Sequence, residues 1–308
     1  MRLVLRPLIT LSATVSGLGI RFGPRGIEMW PLWAWFHSAG DSLGRLAPLA
    51  RGARIERIRL PGCRADYVRA PGVDRGTRAI LYMHGGGFVA GGLGTYRRFA
   101  SILSTSTDAT VLNVGYRLLP RSPITHAIED GMAGYRRLLE DGFEPQDIVI
   151  GGDSAGGGLV FLVAYAIVSS GLPSPAGLFA LSPWADLDVA EKLAHASARR
   201  DPVIPIRAAG FVVEKLVQKG AALDRELSPV NLDLRGLPPV LIHVGTTEVL
   251  AVDAIKLARV LDRAGVPVTL KHWHGQVHDF QVLGLDVVPE ARRSLKEIGT
   301  FVARLTAS

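Results

Sequence analysis

The residues best suited to chemistry lie in Gly151-Gly152-Asp153-Ser154-Ala155-Gly156-Gly157-Gly158. The β-branched run Ile148-Val149-Ile150 precedes them, and an apolar segment of helical length, residues 159–168, follows. That order predicts strand, tight turn, helix. In Gly152-x-Ser154-x-Gly156 the small flanking residues permit a turn sharp enough to push a hydroxyl out above a sheet. The same turn aims the first amides of the following helix, that of Ala155 included, at charge developing beside the serine. The chemistry predicted is nucleophilic attack by Ser154. The alternative is a glycine-rich connection with an incidental serine, and the strand and helix on either side count against it.

Serine is a weak nucleophile at neutral pH, so it needs a base within hydrogen-bonding reach and a third group to orient that base. Two further stretches supply such residue types. Gly245-Thr246-Thr247-Glu248-Val249-Leu250 follows a predicted strand at 240–244, and His274 to His278 follows another at 268–273. In a parallel sheet all strand C-termini open on one edge, where sites collect. The chain order of serine, acid, histidine is one of the orders in which such groups occur.

These stretches must be positioned by a regular scaffold, and the pattern supplies one. Residues 55–60 and 66–69 alternate like half-buried strands joined at Pro61-Gly62, while 79–83 reads as a fully buried strand running into His84-Gly85-Gly86-Gly87-Phe88. Helices are predicted over 96–106 and 124–141 with a strand at 109–114 between them, and a strand at 178–181 follows the nucleophile helix. Residues 188–227 then abandon strict alternation, are punctuated by Pro202 and Pro205, and hold one predicted helix, 208–219. A helix at 253–264 and a terminal one from about Pro289 complete the pattern. The class is α/β, with a mostly parallel sheet flanked by helices.

With 308 residues the chain can bury a substantial core. Its single cysteine, Cys63, excludes an intrachain disulfide and a multi-cysteine zinc site and is compatible with the cytosol. The net charge of +7 is uneven: residues 1–100 carry +10 with 15 Arg and no Lys, and the remainder carries −3. The arginines are scattered singly without a recognition motif, which argues against nucleic acid and for solvated surface, with an anionic membrane face as the alternative. Residues 7–20 are uncharged but short for a span and lack a cleavage site, so neither anchor nor export signal is expected. Trp30, Trp33 and Trp35 crowd three of the five tryptophans into six positions. They are expected to be core, or a helical lid over an acyl pocket that touches lipid through its aromatic face.

Over nearly its whole length the chain resembles the hormone-sensitive lipase branch of the α/β-hydrolase esterases. The resemblance rests on His84-Gly85-Gly86-Gly87-Phe88, Tyr116-Arg117-Leu118-Leu119-Pro120, Gly152-Asp153-Ser154-Ala155-Gly156-Gly157, Ser182-Pro183-Trp184-Ala185-Asp186-Leu187 and His278-Asp279-Phe280. It implies Ser154 as nucleophile, His278 as general base, and the amides of Gly86, Gly87 and Ala155 as an oxyanion hole. It also implies a cap made from residues 1–50 and 188–227, over a catalytic core of 51–187 and 228–308. The function expected is hydrolysis of short- to medium-chain acyl esters through an acyl-enzyme. A lactonase or amidase with the same groups, or a non-catalytic small-molecule binder on the same fold, are the alternatives. A small ester is the expected partner, without nucleic acid or cofactor, in a monomer or homodimer that is cytoplasmic or peripheral to a membrane through its Arg- and Trp-rich N-terminal segment.

Two departures bear on the site. Most relatives carry Asp-Pro-Leu where this chain has Glu248-Val249-Leu250. A glutamate can fill the role, and Asp253, one helical turn on, is the rival; Glu248 is favoured because it lies immediately past the strand and its extra methylene adds reach. The usual Pro-rich run after Tyr-Arg-Leu is here Pro120-Arg121-Ser122-Pro123-Ile124-Thr125-His126, which reshapes the floor near the site. His272, His274 and His278 with Asp279 imitate a metal cluster, but no carboxylate-rich partner motif lies upstream, so no metal is expected. His272 and His274 are read as strand or pocket flank, His243 as a hydrogen-bonded core residue, and His84 as a brace for the glycine loop. Asp153 is expected to fix a loop and Asp186 to anchor the entrance to the insertion. Asp130 and Glu129 either support the site or form a polar helix face.

Overall fold

A computed structural model describes residues 40–73, 78–285 and 287–306. The tryptophan cluster and most of segment 1–50 lie outside the described residues. The elements that follow are β1 (Arg54–Arg59), β2 (Arg64–Arg69), β3 (Ala79–Met83), α1 (Leu93–Thr107), β4 (Thr110–Gly115), α2 (Ile124–Glu140), β5 (Ile148–Asp153), α3 (Ser154–Ser169) and β6 (Gly177–Leu181). After these come α4 (Ala190–Ala194), α5 (Ile206–Phe211), β7 (Val240–Gly245), α6 (Ala251–Arg263), β8 (Val268–Trp273), α7 (Phe280–Leu283) and α8 (Pro289–Leu305).

The strands form one eight-stranded sheet in the order β1-β2-β4-β3-β5-β6-β7-β8. β2 runs antiparallel to both its neighbours, and every other pairing is parallel. β3 and β5 are buried at every position because helices cover both faces, which suits their Ile, Val and Leu content. One face packs against α2, α3 and α6 around Leu81, Ile150, Leu159 and Leu257, and the other against α1 and α8 around Ile80, Tyr82, Phe99 and Ile298. Helix α3 is apolar around most of its circumference, and twelve of its sixteen residues are buried, as expected for the central helix of such a layer.

The strand order reverses direction at β3, which sits between β4 and β5. A crevice therefore opens past the C-termini of β3 and β5, where ligand sites of open α/β sheets form. The register pairs Met83 with Gly152, so the loop opening at His84 leaves the sheet beside the turn opening at Asp153.

Two elements differ from their sequence patterns. β2 was expected to be half-buried, yet Ala65 to Val68 are all buried, because β2 lies inside the sheet and Tyr67 and Val68 enter opposite cores. The helix expected at 208–219 begins earlier, behind Pro205, and stays α-helical only to Phe211; residues Val212–Gln218 continue as a wider π-type coil ending at the left-handed Lys219. Among the described residues no helix is long and apolar enough to cross a membrane.

Candidate active site

Ser154 is the first residue of α3, directly after Asp153 closes β5. Its φ of 52° lies in the left-handed region, uncommon for a residue with a side chain. Close packing holds the turn there: a Cβ added at Gly156 would lie 2.1 Å from the carbonyl oxygen of Met83 and 2.4 Å from that of His84. Only a glycine lets the first turn of α3 press against the end of β3. The turn is also tied down by the Trp184 amide, which donates to the Ser154 carbonyl at 2.8 Å.

Ser154 Oγ lies 3.0 Å from His278 Nε2, and His278 Nδ1 lies 2.7 Å from Glu248 Oε2. All three residues are buried. The other carboxylate oxygen of Glu248 accepts from the Gly245 amide at 2.6 Å and from Ser182 Oγ at 2.7 Å. These bonds fix the carboxylate so that Nδ1 carries the ring proton toward it and Nε2 faces the serine. Asp253 is elsewhere engaged. It accepts from the amides of Ala185 and Asp186 at 3.1 and 2.9 Å and pairs with the buried Lys192 at 2.8 Å. Lys192 Nζ donates as well to the carbonyls of Asp186 and Asp188, so the pair staples the insertion to the exit of β6.

The glycine loop after β3 is shaped by Gly86 and Gly87, with φ of 123° and 62°. The Gly86 carbonyl accepts from the amides of Val89 and Ala90, folding the loop back, and a Cβ at Gly86 would meet the Ala90 oxygen at 2.2 Å. Among the described residues the amides of Gly86 and Gly87 have no acceptor. Ala155, in the first turn of α3, has an amide beyond the reach of intrahelical bonding. Asp153 fixes the loop by accepting from the Gly85 amide and from the hydroxyls of Tyr82 and Tyr96, at 3.0, 2.7 and 2.5 Å. His84 stacks on Tyr116 with centroids 4.2 Å apart and bonds the Gly85 carbonyl at 2.8 Å.

Burial works against the imidazolium of His278, but the carboxylates of Asp279 and Glu248 outweigh it and hold its pKa well above the ordinary histidine value. Burial raises Glu248, with the His278 bond offsetting part of the rise. Burial and the neighbouring charge of Asp279 likewise push Asp153 up.

The remaining sequence candidates fall away from the serine. His243 is a core residue bonded through Nδ1 to Ser294 Oγ at 2.7 Å, and His272 and His274 are exposed. Asp186 pairs with Lys256, and Asp130 and Glu129 both hold the Arg117 guanidinium. Among the described residues no group of three or more His, Cys, Asp or Glu could hold a metal ion. Three contributors were not singled out by their spacing. Ser182 steadies Glu248; Asp279 places Oδ2 2.9 Å from His278 Nε2; and Asp201, in the insertion, accepts from the Val249 amide at 2.8 Å, next to Glu248. Ser182 carried a signal in its place at a strand end and Asp279 in the stretch His278-Asp279-Phe280, whereas Asp201 carried none.

The insertion lines an open hollow of about 1370 Å³ with Val189, Ile206 and Phe211 among others, together with the charged Arg199, Arg207, Glu214 and Lys215. None of Ser154, Glu248 and His278 lines it.

Residues 80–282 match a family model described as alpha/beta hydrolase fold. The chain is 40% identical over 287 residues to the esterase LipU of Mycobacterium tuberculosis, covering 90% of this chain and 94% of that protein. It is 36% identical to an acetyl-hydrolase of Streptomyces hygroscopicus, covering 79% and 81%. A crystal structure of an esterase from the bacterial hormone-sensitive lipase family superposes with a TM-score of 0.81 at 34% identity, covering 88% of this chain and 90% of that one.

Proposed function

The chain belongs to the hormone-sensitive-lipase-like branch of the α/β-hydrolase fold and is a carboxylic ester hydrolase; from that premise we propose that it cleaves short- to medium-chain acyl esters through Ser154, His278 and Glu248. The observation that carries the proposal is the unbroken run of bonds from Ser154 Oγ through His278 to Glu248. His278 Nε2 takes the Ser154 proton as the hydroxyl attacks the ester carbonyl, and Glu248 steadies the imidazolium so formed. The oxyanion is received by the amides of Gly86, Gly87 and Ala155, preorganised and without competing acceptors. Collapse expels the alcohol, which takes its proton from Nε2, and leaves an acyl-enzyme. Water activated by the same imidazole then releases the acid. The acyl preference is supported by the acetyl-hydrolase among the relatives.

Ser154→Ala should lose nearly all hydrolysis of p-nitrophenyl butyrate while keeping the circular dichroism and melting temperature of the parent. On an ester ladder from acetate to palmitate, kcat/KM should peak at or below medium chains. Turnover surviving in Ser154→Ala would remove the serine mechanism, and a maximum at palmitate would remove the chain-length assignment. Labelling by a serine-directed fluorophosphonate separates the enzyme from a non-catalytic binder.

A further inference from the structure

His278 Nε2 is hydrogen-bonded to Ser154 Oγ at 3.0 Å and also lies 2.9 Å from Asp279 Oδ2, a contact that is an ion pair rather than a hydrogen bond. We propose that Asp279 is a positioning residue whose carboxylate, in ion-pair contact with Nε2, favours the protonated imidazole of the free enzyme and thereby sets the pH at which esterolysis begins. The inference rests on the serine mechanism above and adds to it a group that never touches substrate.

A carboxylate at contact distance favours the charged form of an imidazole. When Nε2 is protonated its hydrogen points to Ser154 Oγ, and the Asp279 carboxylate stabilises the positive charge through the ion pair. When Nε2 is bare it accepts from the Ser154 O–H with a carboxylate oxygen close by, an arrangement that favours re-protonation. Asp279 is aimed at the ring by its backbone. Its φ of 49° is left-handed, its carbonyl accepts from the amides of Val282 and Leu283 at 2.9 Å each, and its own amide donates to Ser182 Oγ at 3.3 Å. Its side chain is nearly buried, Oδ1 has no hydrogen-bond partner among the described residues, and His278 is the ion-pair partner found for it there.

The charged groups around the ring all push the same way. Glu248 approaches from the loop after β7, Asp279 from the ring's own loop, and Asp153 from the end of β5, its carboxylate held by the neutral hydroxyls of Tyr82 and Tyr96. The raised pKa of His278, driven by both neighbouring carboxylates against burial, agrees with this geometry. Proton accounting stays simple. The Ser154 proton passes to Nε2 and from there to the leaving alkoxide, while Asp279 contributes its charge and never takes the proton itself.

The test is the pH dependence of kcat/KM for p-nitrophenyl butyrate, followed at the isosbestic wavelength of p-nitrophenol. In Asp279→Asn the acid limb should move to lower pH by about one pH unit, the effect of removing one opposite charge at contact distance. Asparagine keeps the shape and tolerates the left-handed backbone. Asp279→Gly, which also suits that backbone, carries the same expectation should the asparagine variant not fold. Asp279→Glu, retaining the charge, should restore the limb toward the parent. A titration of the His278 Cε1–H resonance in Ser154→Ala should show the same displacement on adding Asp279→Asn. Superimposable limbs and titrations would overturn the role of Asp279 and leave the serine mechanism standing; turnover persisting in Ser154→Ala would overturn the mechanism itself.

Discussion

Glu248 and Asp253 lie five positions apart, are both almost fully buried, and do different jobs. Glu248 holds the imidazole, and Asp253 holds Lys192. Glu248→Gln should cost on the order of ten-thousandfold in kcat, the loss known for the analogous amide in a serine protease, with the fold intact. Asp253→Asn should instead strand a buried ammonium and lower stability by about 3–5 kcal/mol, the usual result of removing one member of a buried pair. Its kcat per folded molecule should stay near the parent value. Urea midpoints beside active-site-titrated kcat separate the two, and a large kcat loss in Asp253→Asn at unchanged stability would reverse the assignment. That Glu248 meets His278 was foreseeable from the sequence because the residue sits at a strand end. The partner of Asp253 was not legible, since Lys192 lies in an irregular stretch where no periodicity points inward. Asp279 was passed over for a related reason. Its neighbour in the chain is His278, and adjacency along the backbone says nothing about whether two side chains meet until the left-handed turn at 279 is known.

At the scale of elements, the parallel strands were the most legible part, because residues buried on both faces read as unbroken apolar runs. The burial of β2 was hidden, since its polar residues Asp66 and Arg69 are accounted for only by ion pairs to β1, with Arg57 and Glu56. The glycine loop offers a contrast between neighbours. A Cβ at Gly86 collides with the Ala90 oxygen, whereas one at Gly87 meets nothing closer than 3.7 Å, and both positions have positive φ. Gly86→Ala should therefore displace the loop and depress kcat at least tenfold more than Gly87→Ala, with KM changing less than kcat in both. Equal losses in the two variants would argue that backbone conformation alone, and not the steric contact with Ala90, shapes the loop.

For the molecule as a whole, two buried histidines tie stability to pH. Burial, aided by the charge of Lys271, pushes His243 down to about 3, and burial pushes His84 down to about 4 despite its bond to Gly85. Both rings are charged more readily unfolded, where the pKa is about 6.5. Their contribution is complete above that value and is lost as pH falls toward the folded values. Between pH 7 and 5 the melting temperature of His243→Gln should accordingly decline less steeply than that of the parent. Parallel declines would mean that the ring takes up its proton without unfolding. The insertion binds into this body through more than the Lys192 staple. Asp201 occupies the Val249 amide, so a carboxylate from residues 188–227 finishes the backbone on which Glu248 is mounted. Exchanging the insertion for a foreign one would abandon that N–H beside the acid, and a successful graft would have to bring its own acceptor or replace Val249 with proline, which has no hydrogen there to orphan.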